Sequence, residues 1–244
     1  MRGKSAVHLI LGDSSKLIDW VNESNIINKE DLVIASCRSE HKPRFASKNS
    51  IHFKADLSID EEITKLMKSI SINIGDIQQK NLYVYFFSTI HSTLLYSNSK
   101  ENIESIFVNT IAPWRILSKI NNIYKNNITI YFISSLSYFN PLYPNKIYAK
   151  QKYLNTLLYK SIANDKFRIR IAICGQFNFG NGKKLGPISS SRFIPKNVKN
   201  IFLASKIDFI NFLENSFASR KELIVVYLPR IWISRKFSAN IDHD

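Results

Sequence analysis

Apolar residues gather in seven short runs, at 6–12, 31–37, 51–55, 82–87, 128–135, 167–175 and 223–228. Each is rich in β-branched or aromatic residues, which predicts strands. Between the runs, apolar residues recur every three or four positions, the period of a helix with one buried face. That spacing predicts helices over 14–25, with Ile18 and Val21 inward, and over 58–71, with Ile59, Ile63, Leu66 and Met67 on one side. It also predicts a long helix over 100–122 through Ile103, Phe107, Ile111, Trp114 and Leu117, another opening at Tyr148, and one over 197–213. Pro113 lies inside the long helix and predicts a kink there.

Strand and helix alternate nearly throughout. The pattern predicts an α/β fold in which one doubly wound parallel sheet of about seven strands carries helices on both faces. Continuously apolar strands agree, because such strands are buried on both sides. We find no repeat or linker, so residues 1–244 read as a single domain. Ligands of such sheets bind outside the carboxyl ends of the strands. Gly12, Arg38, Asp56, Ser88, Ser135 and Gly175 all fall at those ends.

Composition adds limits. The chain has 244 residues, of which 45% are hydrophobic, and no run of eighteen apolar residues that would span a bilayer. The basic start, Met1 to Ser5, leads into a short apolar run without a small-residue cleavage site, so that run reads as a strand and not a signal peptide. The two cysteines, Cys37 and Cys174, lie in predicted strands, and the five histidines are scattered. Neither a disulfide framework nor a metal site is expected, and a reducing cytoplasm suits the chain. The net charge of +15 invites an anionic partner. However, the lysines are spread along a chain rich in Asn, Ile and Lys, as a coding bias would produce. They form no stripe with interleaved aromatics, so a nucleic-acid partner is not expected.

The chemistry concentrates in one stretch. The strand at 128–135 ends in Ser134 and Ser135, and after a loop come Tyr148 and Lys152, four apart and on one helix face. An ammonium beside a phenol favours phenolate, which makes Tyr148 a candidate general acid/base near neutral pH. Tyr-x-x-x-Lys also occurs at Tyr96–Lys100, but that copy follows no strand with paired serines and sits in a polar stretch. Ser135, and Asn109 in the preceding long helix, set the Tyr148 copy apart.

With these residues in place the chain resembles the short-chain dehydrogenase/reductase family along nearly its whole length. Ile133-Ser134-Ser135 and Tyr148-Ala-Lys-Gln-Lys152 look like the family's catalytic serine and Tyr-x-x-x-Lys. Val108-Asn109-Thr-Ile-Ala-Pro is similar to its asparagine-bearing helix, and Ala55-Asp56-Leu57 to the segment that touches adenine. The resemblance implies a Rossmann-type fold, a nicotinamide cofactor, and hydride transfer between a carbonyl and an alcohol. It implies that Ser135 bonds the substrate oxygen and Tyr148 exchanges a proton with it. Lys152 would lower the tyrosine pKa and hold ribose hydroxyls, and Asn109 would position a relay water.

The family's phosphate loop, Gly-x-x-x-Gly-x-Gly, is here Gly12-Asp-Ser-Ser-Lys16-Leu-Ile18, with only the first glycine present. Ser14 and Ser15 can donate hydrogen bonds, Lys16 can neutralise a phosphate, and the helix N-terminus favours anions. The family's Pro-Gly after the sixth strand is Cys174-Gly175. Arg38, where NAD enzymes carry an acid, suits the 2′-phosphate of NADP, so NADP(H) is expected over NAD(H). The loop at 176–196 follows the sixth strand, where the family places its substrate lid; Lys183, Lys184 and Arg192 suit an anionic substrate as well as plain solvation. The C-terminal 227–237 mixes aromatics with Arg230, Arg235 and Lys236. This suits a packed terminus or subunit contact, or else a peripheral membrane or lipid-linked substrate contact. The expected function is an NADP(H)-dependent oxidoreductase acting on a small, anionic or sugar-like substrate, as in surface-polysaccharide biosynthesis, in a homo-oligomer (dimer or tetramer). The alternative is a noncatalytic binding or partner subunit.

Overall fold

A computed structural model describes residues 5–12, 15–38, 45, 47–74, 80–87, 99–136, 146–174, 176–177 and 203–228. The strands are β1 (Val7–Leu11), β2 (Leu32–Cys37), β3 (Asn49–Lys54), β4 (Leu82–Phe86), β5 (Ile128–Ser135), β6 (Phe167–Cys174), β7 (Gln176–Phe177), β8 (Leu203–Ala204) and β9 (Leu223–Leu228). The helices are α1 (Ser15–Glu23), α2 (Asp60–Ile74), α3 (Ser99–Ile106), α4 (Ala112–Ile123), α5 (Lys146–Ser161) and α6 (Lys206–Phe217). Seven strands form one sheet in the order β3-β2-β1-β4-β5-β6-β9, and all six pairings are parallel. The predicted doubly wound sheet is thus observed, with the strand order reversing between β1 and β4.

The hydrophobic pattern accounts for the layers. β1 and β4 lie at the centre and every residue of both is buried, whereas the edge strand β3 is largely exposed. On one face α2, α4 and α5 pack through Ile63, Leu66, Ile116, Ile120 and Tyr159. On the other, α1 and α6 pack through Ile18, Val21, Phe209 and Leu213. A fully buried aliphatic side chain contributes about 1.5–3 kcal/mol, so these two layers hold the helices to the sheet. Cys37 and Cys174 are free and buried. Among the described residues no helix is long and apolar enough to cross a membrane.

Several expectations need correction. The last helix is Lys206–Phe217, not 197–213. It begins where Ser205 and Asp208 form a capping box, each side chain bonded to the other's backbone N–H. Residues 176–177 are not loop but pair with Leu203–Ala204; residues 178–202 lie outside the described residues. Ile59 precedes α2 and is exposed, and Ile70 completes that helix's buried face instead. Ile103 and Ile111 are also exposed. The long helix is interrupted by a π-helical turn, Phe107–Ile111, which inserts a residue and rotates the two halves out of register. Pro113 follows immediately, in the first turn of α4.

Candidate functional site

Tyr148 and Lys152 stand one turn apart on α5, both buried. Lys152 Nζ donates to the carbonyl of Ile133 at 2.9 Å, which ties α5 to β5 two residues before Ser135. The ammonium lies 5.0 Å from the Phe132 ring centroid and 5.6 Å from that of Tyr148. Only 3% of Lys152 is exposed. Burial pushes its ammonium down to about 8, against a smaller upward pull from Cys174. Ser135 ends β5, half-buried, opposite Cys174 on β6. Its neighbour Ser134 is fixed differently: its hydroxyl pairs with Thr156 Oγ1 at 2.6 Å. Lys152 therefore ties the helix that carries Tyr148 to the end of β5 that carries Ser135.

Asn109 sits in the π turn, and Pro113 explains why. A residue at 113 would normally donate its N–H to the carbonyl of residue 109; proline has no N–H, and its ring would clash with that carbonyl. The wider turn relieves the clash. The freed Asn109 carbonyl instead accepts from Asn155 Nδ2 at 2.7 Å. The Asn109 amide donates to Gln151 Oε1 at 3.0 Å and Ser105 Oγ at 3.1 Å. Asn109 is thereby joined to the helix that carries Tyr148 and Lys152. Gln151, Asn155 and Ser105 are residues that the sequence reading did not single out. A signal was present: Ser105/Asn109 and Gln151/Asn155 are both polar pairs four apart, one within the long helix that the pattern predicts over 100–122 and the other on the helix that carries Tyr148.

The other predicted residues lie along the rim. Gly12 has φ 99°, a left-handed conformation that favours glycine, and its N–H donates to Ser36 O at 3.2 Å. Arg38 and Asp56 meet each other, Nε to Oδ2 at 3.1 Å, and Arg38 Nη1 also lies 3.4 Å from Glu104 Oε1. Asp56 Oδ1 accepts from the amide and hydroxyl of Ser58. Burial alone would raise the Asp56 carboxyl, but these bonds and Arg38 hold it below the usual range. Leu57 is buried in the core beside α2, so its side chain serves packing. Ser15 and Lys16 open α1. Ser14 and Gly175 lie outside the described residues, as do Lys183, Lys184, Arg192, Tyr96 and the segment from 229 onward.

Two observations suit the dinucleotide that the resemblance implies. Gly12 holds a positive φ at the end of β1, a turn conformation that glycine adopts at no steric cost. The Ser36 hydroxyl, buried at the end of β2, has no hydrogen-bond partner. One observation runs against it: Ile18, in place of the third family glycine, is buried and built into the α1 contact. On balance the residues fit a dinucleotide, which Gly12, Arg38, Asp56 and Lys152 would hold. Among the described residues no cluster of three or more His, Cys, Asp or Glu could hold a metal.

No family model and no curated protein matches the sequence. Solved structures do. A short chain dehydrogenase family protein from Francisella tularensis superposes with a TM-score of 0.66 at 15% identity, over 92% of this chain and 97% of that one. A short-chain dehydrogenase/reductase family oxidoreductase from Brucella ovis, in complex with a partially ordered NAD, gives 0.65 at 12%, over 92% and 99%. A bulky-bulky ketone specific alcohol dehydrogenase from Comamonas testosteroni gives 0.64 at 12%, over 98% and 91%. At these identities the likeness concerns architecture: the chain has the fold of the short-chain dehydrogenase/reductases.

Proposed function

We propose that the protein is an NAD(P)(H)-dependent oxidoreductase that interconverts a carbonyl and an alcohol on a small substrate. The observation that carries this reading is Lys152, buried one turn from Tyr148 and tied to the β5 end that carries Ser135. When bound, a nicotinamide cofactor would supply or accept the hydride. The chain's own residues do the rest. Ser135 donates a hydrogen bond to the substrate oxygen, Tyr148 moves a proton to or from it, and the Lys152 ammonium stabilises charge on the tyrosine oxygen. Asn109, held by Gln151 and Asn155, keeps α3 and α5 in fixed relation behind Tyr148. Arg38 favours NADP(H), and the basic composition suits an anionic or sugar-like substrate such as those of surface-polysaccharide assembly, handled in the cytoplasm.

The working form is a homo-oligomer. Ile103 and Ile111 around α3, with Tyr153, Leu154, Leu157 and Leu158 on α5, expose an apolar face on the outside of the site helices. The three- and four-residue spacing of the α5 leucines suits packing against the same face of a second copy about a two-fold axis. A second reading, a noncatalytic partner subunit, is favoured by Ile18 in the phosphate loop.

Thermal unfolding with NADPH or NADH separates the two readings. A cofactor at one hundred times its Kd adds about 2.7 kcal/mol of stability; no shift with either one overturns the oxidoreductase reading. Where a shift is seen, Tyr148→Phe should cut turnover by about 10²–10⁴-fold while the shift remains.

A further inference from the structure

Arg38 is the meeting point of three elements. It follows β2, Asp56 follows β3, and Glu104 belongs to α3, five positions before Asn109. Its Nε faces Asp56 Oδ2 at 3.1 Å and its Nη1 faces Glu104 Oε1 at 3.4 Å. Asp56 is fixed by its own turn, through the amide and hydroxyl of Ser58 on its other oxygen. Glu104 approaches from a different element and is only 30% exposed. One guanidinium therefore answers two carboxylates, and the local charge is not the free positive charge that an arginine at the end of β2 would otherwise offer.

Such an arginine is the group that meets a 2′-phosphate, the one feature that separates NADP from NAD. A phosphate monoester brings a charge of about −1.5 to −2 and wants the same guanidinium edge. At Arg38 it would compete for the Nη1 edge that the Glu104 carboxylate already meets. A 2′-hydroxyl brings no charge and asks for no exchange of partners.

We propose that Glu104 is a specificity-determining residue, which competes with a 2′-phosphate for Arg38 and so restrains the preference for NADP(H) that Arg38 alone would confer. The inference rests on the dinucleotide reading of the rim. It also links the rim to the site: a 2′-phosphate that captures Arg38 detaches it from α3, the helix that leads into the π turn and Asn109. Arg38 is 66% exposed, so solvent screens the competition and keeps the effect modest.

The test measures binding of NADPH and NADH to the full chain by fluorescence titration, in wild type, Glu104→Gln, Arg38→Ala and the double variant. Glu104→Gln should tighten NADPH about three- to tenfold and leave NADH within about twofold. The gain should vanish in the Arg38→Ala background. Equal changes for both nucleotides, or a gain that survives without Arg38, would overturn the role of Glu104 and leave the dinucleotide reading standing. Binding of neither nucleotide to any form would overturn both.

Discussion

Lys152 is the side chain whose environment most directly shapes the proposed chemistry. Burial brings its ammonium to about 8, so near neutral pH it is still mostly charged and can stabilise a tyrosinate. As pH rises through about 8 the ammonium loses its proton and Tyr148 loses that support. In the carbonyl-reducing direction, kcat/KM should therefore fall across a limb near pH 8 in a pH–rate profile. A flat profile between about pH 7 and 9 would take the ammonium out of the step. The spacing of Tyr148 and Lys152 put both on one helix face, where the structure has them, whereas Asn109 stood out through its resemblance to the family's asparagine-bearing helix. Gln151 and Asn155 were not. Their partners lie 42 and 46 positions away, and only the packing of α3 and α5 reveals that their amides are needed inside. Glu104 was hidden likewise, since a glutamate on a helix ordinarily means a solvated face.

Helices and strands were legible where hydrophobic period and capping agree. β5 runs over the residues expected of it, and β6 over 167–174, its predicted last residue Gly175 lying outside the described residues. The long helix was predicted with a kink at Pro113; the fold places the irregularity one turn earlier, because proline's clash is with the carbonyl four residues behind it. That displacement is what frees the carbonyl of Asn109. α6 was predicted nine residues too early because 197–205 is also apolar in part, although Ser205-x-x-Asp208 marked the true start. Arg170 on β6 fixes the other end of α6. It is fully buried, and its Nε and Nη2 donate to the carbonyls of Ser216 and Ser219, while Nη1 returns to Ile169 O. A cation there also meets the negative end of the helix dipole. Arg170→Met should cost about 2–3 kcal/mol in urea unfolding by leaving these carbonyls without donors. A loss below about 0.5 kcal/mol would show that water replaces the guanidinium.

At the scale of the molecule, the two ends of the sheet do different work. The carboxyl rim carries the candidate site, and the amino end carries a buried polar cluster. His8 lies beside Tyr83 and Phe217, whose rings stack on each other at 4.5 Å, with Nδ1 3.0 Å from Tyr85 Oη and Nε2 3.3 Å from Asp31 Oδ2. Asp31 also accepts from the amides of Ala6 and Asn28. Burial pulls His8 below its usual 6.5, outweighing the pull of Asp31 in the other direction. The carboxylate can only accept, so neutral His8 donates through Nε2 and accepts from Tyr85. As pH falls below about 6.5 the unfolded chain takes up this proton before the folded one does, so stability should fall on acidification. Urea midpoints from about pH 8 to 5.5 should show that slope, and His8→Phe should flatten it; an unchanged slope in the variant assigns it to other groups. The proposed two-fold contact is tested at the same scale. Leu154→Glu with Leu158→Glu should halve the mass measured by light scattering, and an unaltered mass places the interface elsewhere. The strand order has a last consequence, for kinetics. The two central strands, β1 and β4, lie about seventy residues apart in the chain, and β1 has no partner on that side until β4 exists. Closing so long a loop before any contact rewards it makes the centre of the sheet slow to form. During synthesis the apolar β1 must wait until residue 86 leaves the ribosome, so among the described strands the most buried one has the longest wait before both its neighbours are in place.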